Sequence, residues 1–192
     1  QRGFDAFLRD LESLDKKIIL LVFGEKSQKS MSAALKQIQA KQYSDIEWIY
    51  RNIIVLFKDF VTQNDYDTLL YCSDFNLVRG EDSLVRAIMA ERPFLWNAYI
   101  QEKKYQKIKV EALLKTMQPF FDDPHSFLHY KELMLEFNDA EIETTNQSTN
   151  ENYLFFLKNL NIFEHATSKM CYFIEQNCNL IEKLSGFIRD FQ

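Results

Sequence analysis

No apolar run in this sequence approaches the roughly 20 residues that a bilayer-spanning helix needs. No secretory leader is read at its start. Its three cysteines, Cys72, Cys171 and Cys178, form neither a disulfide framework nor a zinc pattern. Basic charge is short as well: 23 Lys and Arg stand against 28 Asp and Glu, a net charge of −5. That balance gives no field for nucleic acid and no polybasic membrane patch. Cytoplasmic location is therefore the expectation, with no nucleic-acid or membrane partner. What the chain does have is apolar and aromatic mass: 46% hydrophobic residues, with 17 Phe and 9 Tyr. Its 192 residues suffice for one sizeable core, burying about 70% of the surface that the unfolded chain exposes. The first residue is Gln rather than Met, and the chain is read as a fragment.

The stretch from Phe60 to Tyr99 organises the rest. Asn64 or Asp65 is placed to cap a short helix carrying Tyr66, Leu69, Leu70 and Cys72 on one side. Phe75 to Val78 reads as a buried strand, and Arg79-Gly80 as the turn leaving it. A second helix begins at Glu81 or Asp82 and stops before Pro93, which disfavours helical geometry at Arg92. Phe94 to Tyr99 is the next strand. This rhythm is that of an open parallel α/β sheet, whose ligands bind at the carboxyl ends of the strands. The Arg79-Gly80-Glu81-Asp82-Ser83 turn occupies such a place. Gly80 lets backbone approach a ligand, helix N–H groups near Asp82 and Ser83 receive a phosphate, and Arg79 adds a charged fork. The competing reading is a plain helix start, because Glu81 and Asp82 already satisfy the dipole.

Three runs within this stretch carry a family resemblance. They are Phe60-x-x-Gln63-x-x-Tyr66-Asp67-x-Leu69-Leu70, then Asp74-x-Asn76-x-Val78-Arg79-Gly80-Glu81-Asp82-Ser83-x-Val85-Arg86-Ala87, then Arg92-Pro93-Phe94-x-Trp96-x-x-Tyr99-x-Gln101. In order and interval they resemble the EarP family, the protein-arginine rhamnosyltransferases that modify elongation factor P. The match is strong over residues 52–114. The resemblance implies a GT-B enzyme of two Rossmann-like domains, of which this chain is the C-terminal, donor-binding half. It implies that Phe60, Gln63 and Tyr66 surround the thymine of dTDP-L-rhamnose, while Arg79, Asp82 and Ser83 hold its diphosphate. Glu81 matches a carboxylate implicated in activity, and Phe23 is the nearest equivalent of an aromatic residue that helps hold the donor. The implied reaction inverts the anomeric carbon and needs no metal. The N-terminal acceptor-side domain is absent, so this chain alone is expected to bind donor or TDP and to transfer little or no rhamnose. Read without the resemblance, Phe23, Phe60 and Tyr66 are equally core residues and Gln63 a solvated one.

The flanks fit an α/β domain over residues 1–137. Phe4, Phe7, Leu8, Leu11 and Leu14 have helical spacing, and Ile18 to Phe23 is a continuous apolar run typical of a buried parallel strand. Ser27 or Ser30 is read as the cap of a helix from about Met31 to Lys41, and Asn52 to Phe57 as the next strand. Beyond Tyr99, Lys103-Lys104 lies in a solvated loop before a helix from about Ile108 to Met117. His125 and His129 share a face of the helix His125 to Phe137, without the acid of a zincin motif. Residues 138–152 read as an acidic polar linker, and 153–192 as C-terminal helices packing on the domain. Two other functions stay open: a different GT-B enzyme using a nucleotide sugar, and a noncatalytic helical interaction module.

Overall fold

A computed structural model describes residues 4–99, 105–138 and 148–189. Helix α1 (Phe4–Glu12) buries Phe7, Leu8 and Leu11. Strand β1 (Ile18–Phe23) follows and leads through Gly24 into α2 (Glu25–Gln37). That helix starts six residues before the expected Met31, because Gly24 at φ 80 reverses the chain at once and no serine cap is used. Next come β2 (Lys41–Gln42), β3 (Glu47–Tyr50) and β4 (Ile53–Lys58). Helix α3 (Gln63–Cys72) is capped by Thr62, whose hydroxyl accepts from the Asp65 amide at 3.3 Å, and not by Asn64 or Asp65.

Strand β5 (Asn76–Arg79), α4 (Glu81–Met89) and β6 (Phe94–Asn97) follow the expected rhythm. The remainder is helical: α5 (Tyr105–Met117), α6 (Pro124–Asn138), α7 (Ser148–Lys158), α8 (Leu160–Asn177) and α9 (Leu180–Arg189). Helix α7 thus begins inside the stretch read as a linker. Residues 139–147 of that stretch, together with Gln101 and Lys103-Lys104, lie outside the described residues. Among the described residues no helix is long and apolar enough to cross a membrane.

The fold is mixed α/β, and its strands differ from a uniformly parallel sheet in two respects. Strands run β1-β4-β3-β2 in one sheet, and β5-β6 form a separate pair. The β1-β4 and β5-β6 pairs are parallel, whereas β3 runs antiparallel to both β4 and β2. Only Arg51 and Asn52 separate β3 from β4, too few for a crossover, so the chain turns back through Arg51 at φ 54. The β1 run is also not buried on both faces. Ile18 and Val22 point into the core, while Ile19 and Leu21 are exposed on the other face. The alternation of a half-buried strand was hidden because both faces carry aliphatic residues.

Strand β6 is the buried axis of the second half, with Phe94, Leu95 and Trp96 at most 2% exposed. Its outer edge is closed by side chains of α6. Tyr130 donates to the Phe94 carbonyl at 2.8 Å, and the Trp96 amide donates to Met134 Sδ at 3.3 Å. Asn138 donates to the Trp96 carbonyl at 2.7 Å and accepts from the Ala98 amide at 2.8 Å. These three residues are four apart, hence on one helix face. Beneath them, Phe121, Tyr130, Phe156 and Phe163 pack their rings with centroids 4.9–6.4 Å apart. His125 and His129 belong to this packing. The His129 ring stacks on Phe155 at 4.2 Å, and its Nδ1 is 2.6 Å from Asn152 Oδ1 on α7.

Replacing Asn138 with Leu leaves both backbone groups of β6 without their partner. Urea denaturation is expected to read a loss of about 1–3 kcal/mol, and amide exchange at Ala98 is expected to accelerate.

Candidate active site

The carboxyl ends of β1, β4 and β5 each deliver the chain to a helix N-terminus. At β1 and β4 the Gln28 amide of α2 donates to the Val22 carbonyl at 3.1 Å and to the Lys58 carbonyl at 2.8 Å, fixing the two strand ends. Phe23, half-buried, ends β1 beside Gly24. Phe60, in the β4–α3 loop, is 85% exposed. Its ring lies over Gly24, 3.5 Å from where a Cβ would project. A core role for Phe60 is therefore excluded. Gln63 opens α3 and is exposed, while Tyr66 is half-buried and packs against the core.

At β5 the chain passes through Arg79 and Gly80 into α4. Gly80 has φ 83 and ψ 166, a conformation open almost solely to glycine. It offers no side-chain cap to the first turn of α4, whose N–H groups form the positive end of the helix dipole. Arg79, exposed, spreads its guanidinium over the Tyr99 ring at 5.1 Å from the centroid. Tyr99 in turn covers Gly80, since a Cβ there would meet its Cε2 at 2.8 Å. The Trp96 indole N–H donates to the Gly80 carbonyl at 2.9 Å and holds the turn from below.

Both acidic groups of this junction are paired, Glu81 to another helix and Asp82 within α4. Glu81 accepts from Lys109 of α5 at 2.7 Å. That bond holds its carboxyl below the ordinary value of 4.5. Asp82, exposed, accepts from Arg86 Nε at 2.9 Å. Ser83 is half-buried in the same first turn. Arg79, Glu81, Asp82 and Ser83 thus share the β5–α4 junction, and Phe23 with Phe60 flank the β1–α2 one. Three partners had no part assigned from the sequence alone: Trp96, Lys109 and Arg86. Trp96 and Arg86 lie in the quoted runs, and their spacing to Gly80 was the available signal. Lys109 sits in another helix and left none.

Removing the Lys109 ammonium tests the Glu81 pairing. Lys109→Met is expected to raise the Glu81 carboxyl pKa, read by carboxyl NMR titration. Because the folded pKa is lowered, the stabilisation from this pair is present above the unfolded value and is lost as pH falls through the folded one. The variant should therefore flatten the acid limb of the stability profile.

The family model described as Elongation-Factor P (EF-P) rhamnosyltransferase EarP matches residues 1–189. A protein-arginine rhamnosyltransferase of Pseudomonas aeruginosa is 55% identical over 56 residues, covering 29% of this chain and 15% of the relative. One from Neisseria meningitidis is 28% identical over 133 residues, 69% of this chain and 34% of the relative. A solved structure described as the structural basis for EarP-mediated arginine glycosylation of translation elongation factor EF-P shares the fold at TM-score 0.75 and 22% identity. It is matched over 98% of this chain and 57% of its own length. The alignments thus span well under two thirds of each relative, while the family match runs through almost the whole of this chain. The chain belongs to the EarP family of elongation-factor P rhamnosyltransferases.

Proposed function

We propose that this chain is the donor-binding half of an inverting GT-B glycosyltransferase acting in the cytoplasm. The whole enzyme transfers rhamnose from dTDP-L-rhamnose to an arginine side chain of elongation factor P. The observation that carries the reading is the Arg79-Gly80-Glu81 junction. It pairs an uncapped helix start with an exposed guanidinium at the carboxyl end of a parallel strand, in a chain that belongs to this family.

In this reading the α4 N-terminus and Arg79 take the diphosphate, with Asp82 and Ser83 contributing first-turn N–H groups. Phe60 is free to stack on thymine, since its face is not consumed by the core, and Gln63 pairs with the pyrimidine edge. Tyr66 and Phe23 wall the same end. The acceptor guanidino nitrogen attacks the anomeric carbon from the face opposite the diphosphate. The carbon–oxygen bond to the diphosphate breaks, TDP leaves with its electron pair, and the nitrogen loses a proton to solvent. Arg79 and the helix dipole stabilise charge as it grows on the leaving group, a task that requires no metal cofactor.

Glu81 acts on the acceptor side. Its lowered pKa keeps it ionised, which suits orienting a guanidinium better than removing its proton. The acceptor-side domain lies outside residues 1–192, so this chain binds nucleotide and transfers little or no rhamnose by itself.

Calorimetric titration of the chain with TDP and UDP tests the donor site. TDP is expected to bind more tightly than UDP, and Arg79→Ala to weaken TDP about tenfold or more, the scale of one charge-assisted contact. Absence of TDP binding by the folded chain, or indifference to Arg79→Ala, overturns the assignment.

A further inference from the structure

Arg86 lies one turn into α4 and touches neither Arg79 nor the first-turn amides. Its side chain is 22% exposed and bonds two carboxylates. Nη1 donates to both oxygens of Asp67, at 2.8 and 2.7 Å, and Nε donates to Asp82 at 2.9 Å. Asp67 follows Gln63 by four residues and so shares its face of α3. Asp82 is the second residue of α4, between Glu81 and Ser83. One guanidinium therefore spans the starts of two helices that come from different strand pairs.

We propose that Arg86 is a positioning residue. It fixes the separation between the base end of the donor site, at Gln63 and Tyr66, and the diphosphate end, at Arg79 and the α4 N-terminus. The inference rests on the donor-site reading above. Two subsites on separate elements bind a linked ligand jointly only when their spacing is held. The gain is that of an effective concentration, and it vanishes when the spacing drifts. A surface pair four residues apart, such as Arg86 with Asp82, adds little by itself. The Asp67 arm is different. It reaches 19 residues back along the chain to another helix and takes both carboxylate oxygens on one nitrogen, so it ties α3 to α4. A lysine at this place keeps the charge but has no planar fork to divide between two acids.

The test compares the whole ligand with its halves. TDP, thymidine and inorganic pyrophosphate are titrated separately into the parent chain, Arg86→Lys and Asp67→Asn, with thermal unfolding followed in parallel. Both variants are expected to weaken TDP about tenfold while thymidine and pyrophosphate stay within about twofold of the parent. The double variant is expected to be no weaker than either single one. Equal loss of TDP and of both halves overturns the inference, because that is what a loosened helix would give. Unchanged TDP binding in both variants overturns it too and leaves the donor site standing. Failure of the parent itself to bind TDP removes the donor site, and this inference with it. If Arg86→Lys does not fold, Asp67→Asn, which leaves Arg86 its bond to Asp82, decides alone.

Discussion

The second half of the fold hangs on the closed edge of β6. A strand at the border of a two-stranded sheet presents unpaired backbone groups, and burying them unpaired costs free energy. Here the deficit is met by side chains rather than by another strand. Tyr130, Met134 and Asn138 take the Phe94, Trp96 and Ala98 groups in turn. With that edge satisfied, Phe94, Leu95 and Trp96 can be buried almost completely. The Trp96 indole then reaches Gly80 and sets the turn that opens α4. A site at the molecular surface is thereby referred to the deepest part of the core.

The junctions at Gly24 and Gly80 follow one design. Each glycine stands at positive φ where a parallel strand hands over to a helix, and each leaves that helix without a side-chain cap. Cap residues such as Ser or Asp would satisfy the first-turn amides internally. Their replacement by glycine gives up a local bond and lets a ring lie against the backbone, Phe60 at one junction and Tyr99 at the other. Negative charge near the second junction does not stand alone. Glu81 is matched by Lys109, and Asp82 by Arg86.

Much of this was legible in the residues. The order of elements from Tyr66 to Trp96 followed from apolar spacing, Gly80 and Pro93, because each signal there is local. The start of α4 at Glu81 was readable for the same reason. Helix α2 was misplaced because its start is set by a backbone reversal at Gly24, while two serines downstream offered plausible caps that go unused. The antiparallel β3 went unrecognised, since four residues ending in a two-residue turn carry little periodic signal. Exposure of Ile19 and Leu21 was illegible in principle: an all-aliphatic run has no polar residue to mark its outer face. In the site, strand and helix ends were readable, but the pairings Glu81–Lys109 and Arg86–Asp67 join residues 28 and 19 apart, and no local pattern announces them.

The side-chain ladder on α6 has a bearing on how this sequence can drift. Its three rungs sit at intervals of four, so they remain in line only while the helix between Tyr130 and Asn138 keeps its length. One residue gained or lost there rotates everything beyond it by about 100° and swings a rung off the strand. Substitution at the exposed positions of α6, Leu128, Lys131 and Glu132, carries no such penalty. The helix is thus free in composition on its exposed face yet fixed in residue count, a constraint that would surface among descendants as a segment tolerant of surface exchange and closed to insertion or deletion.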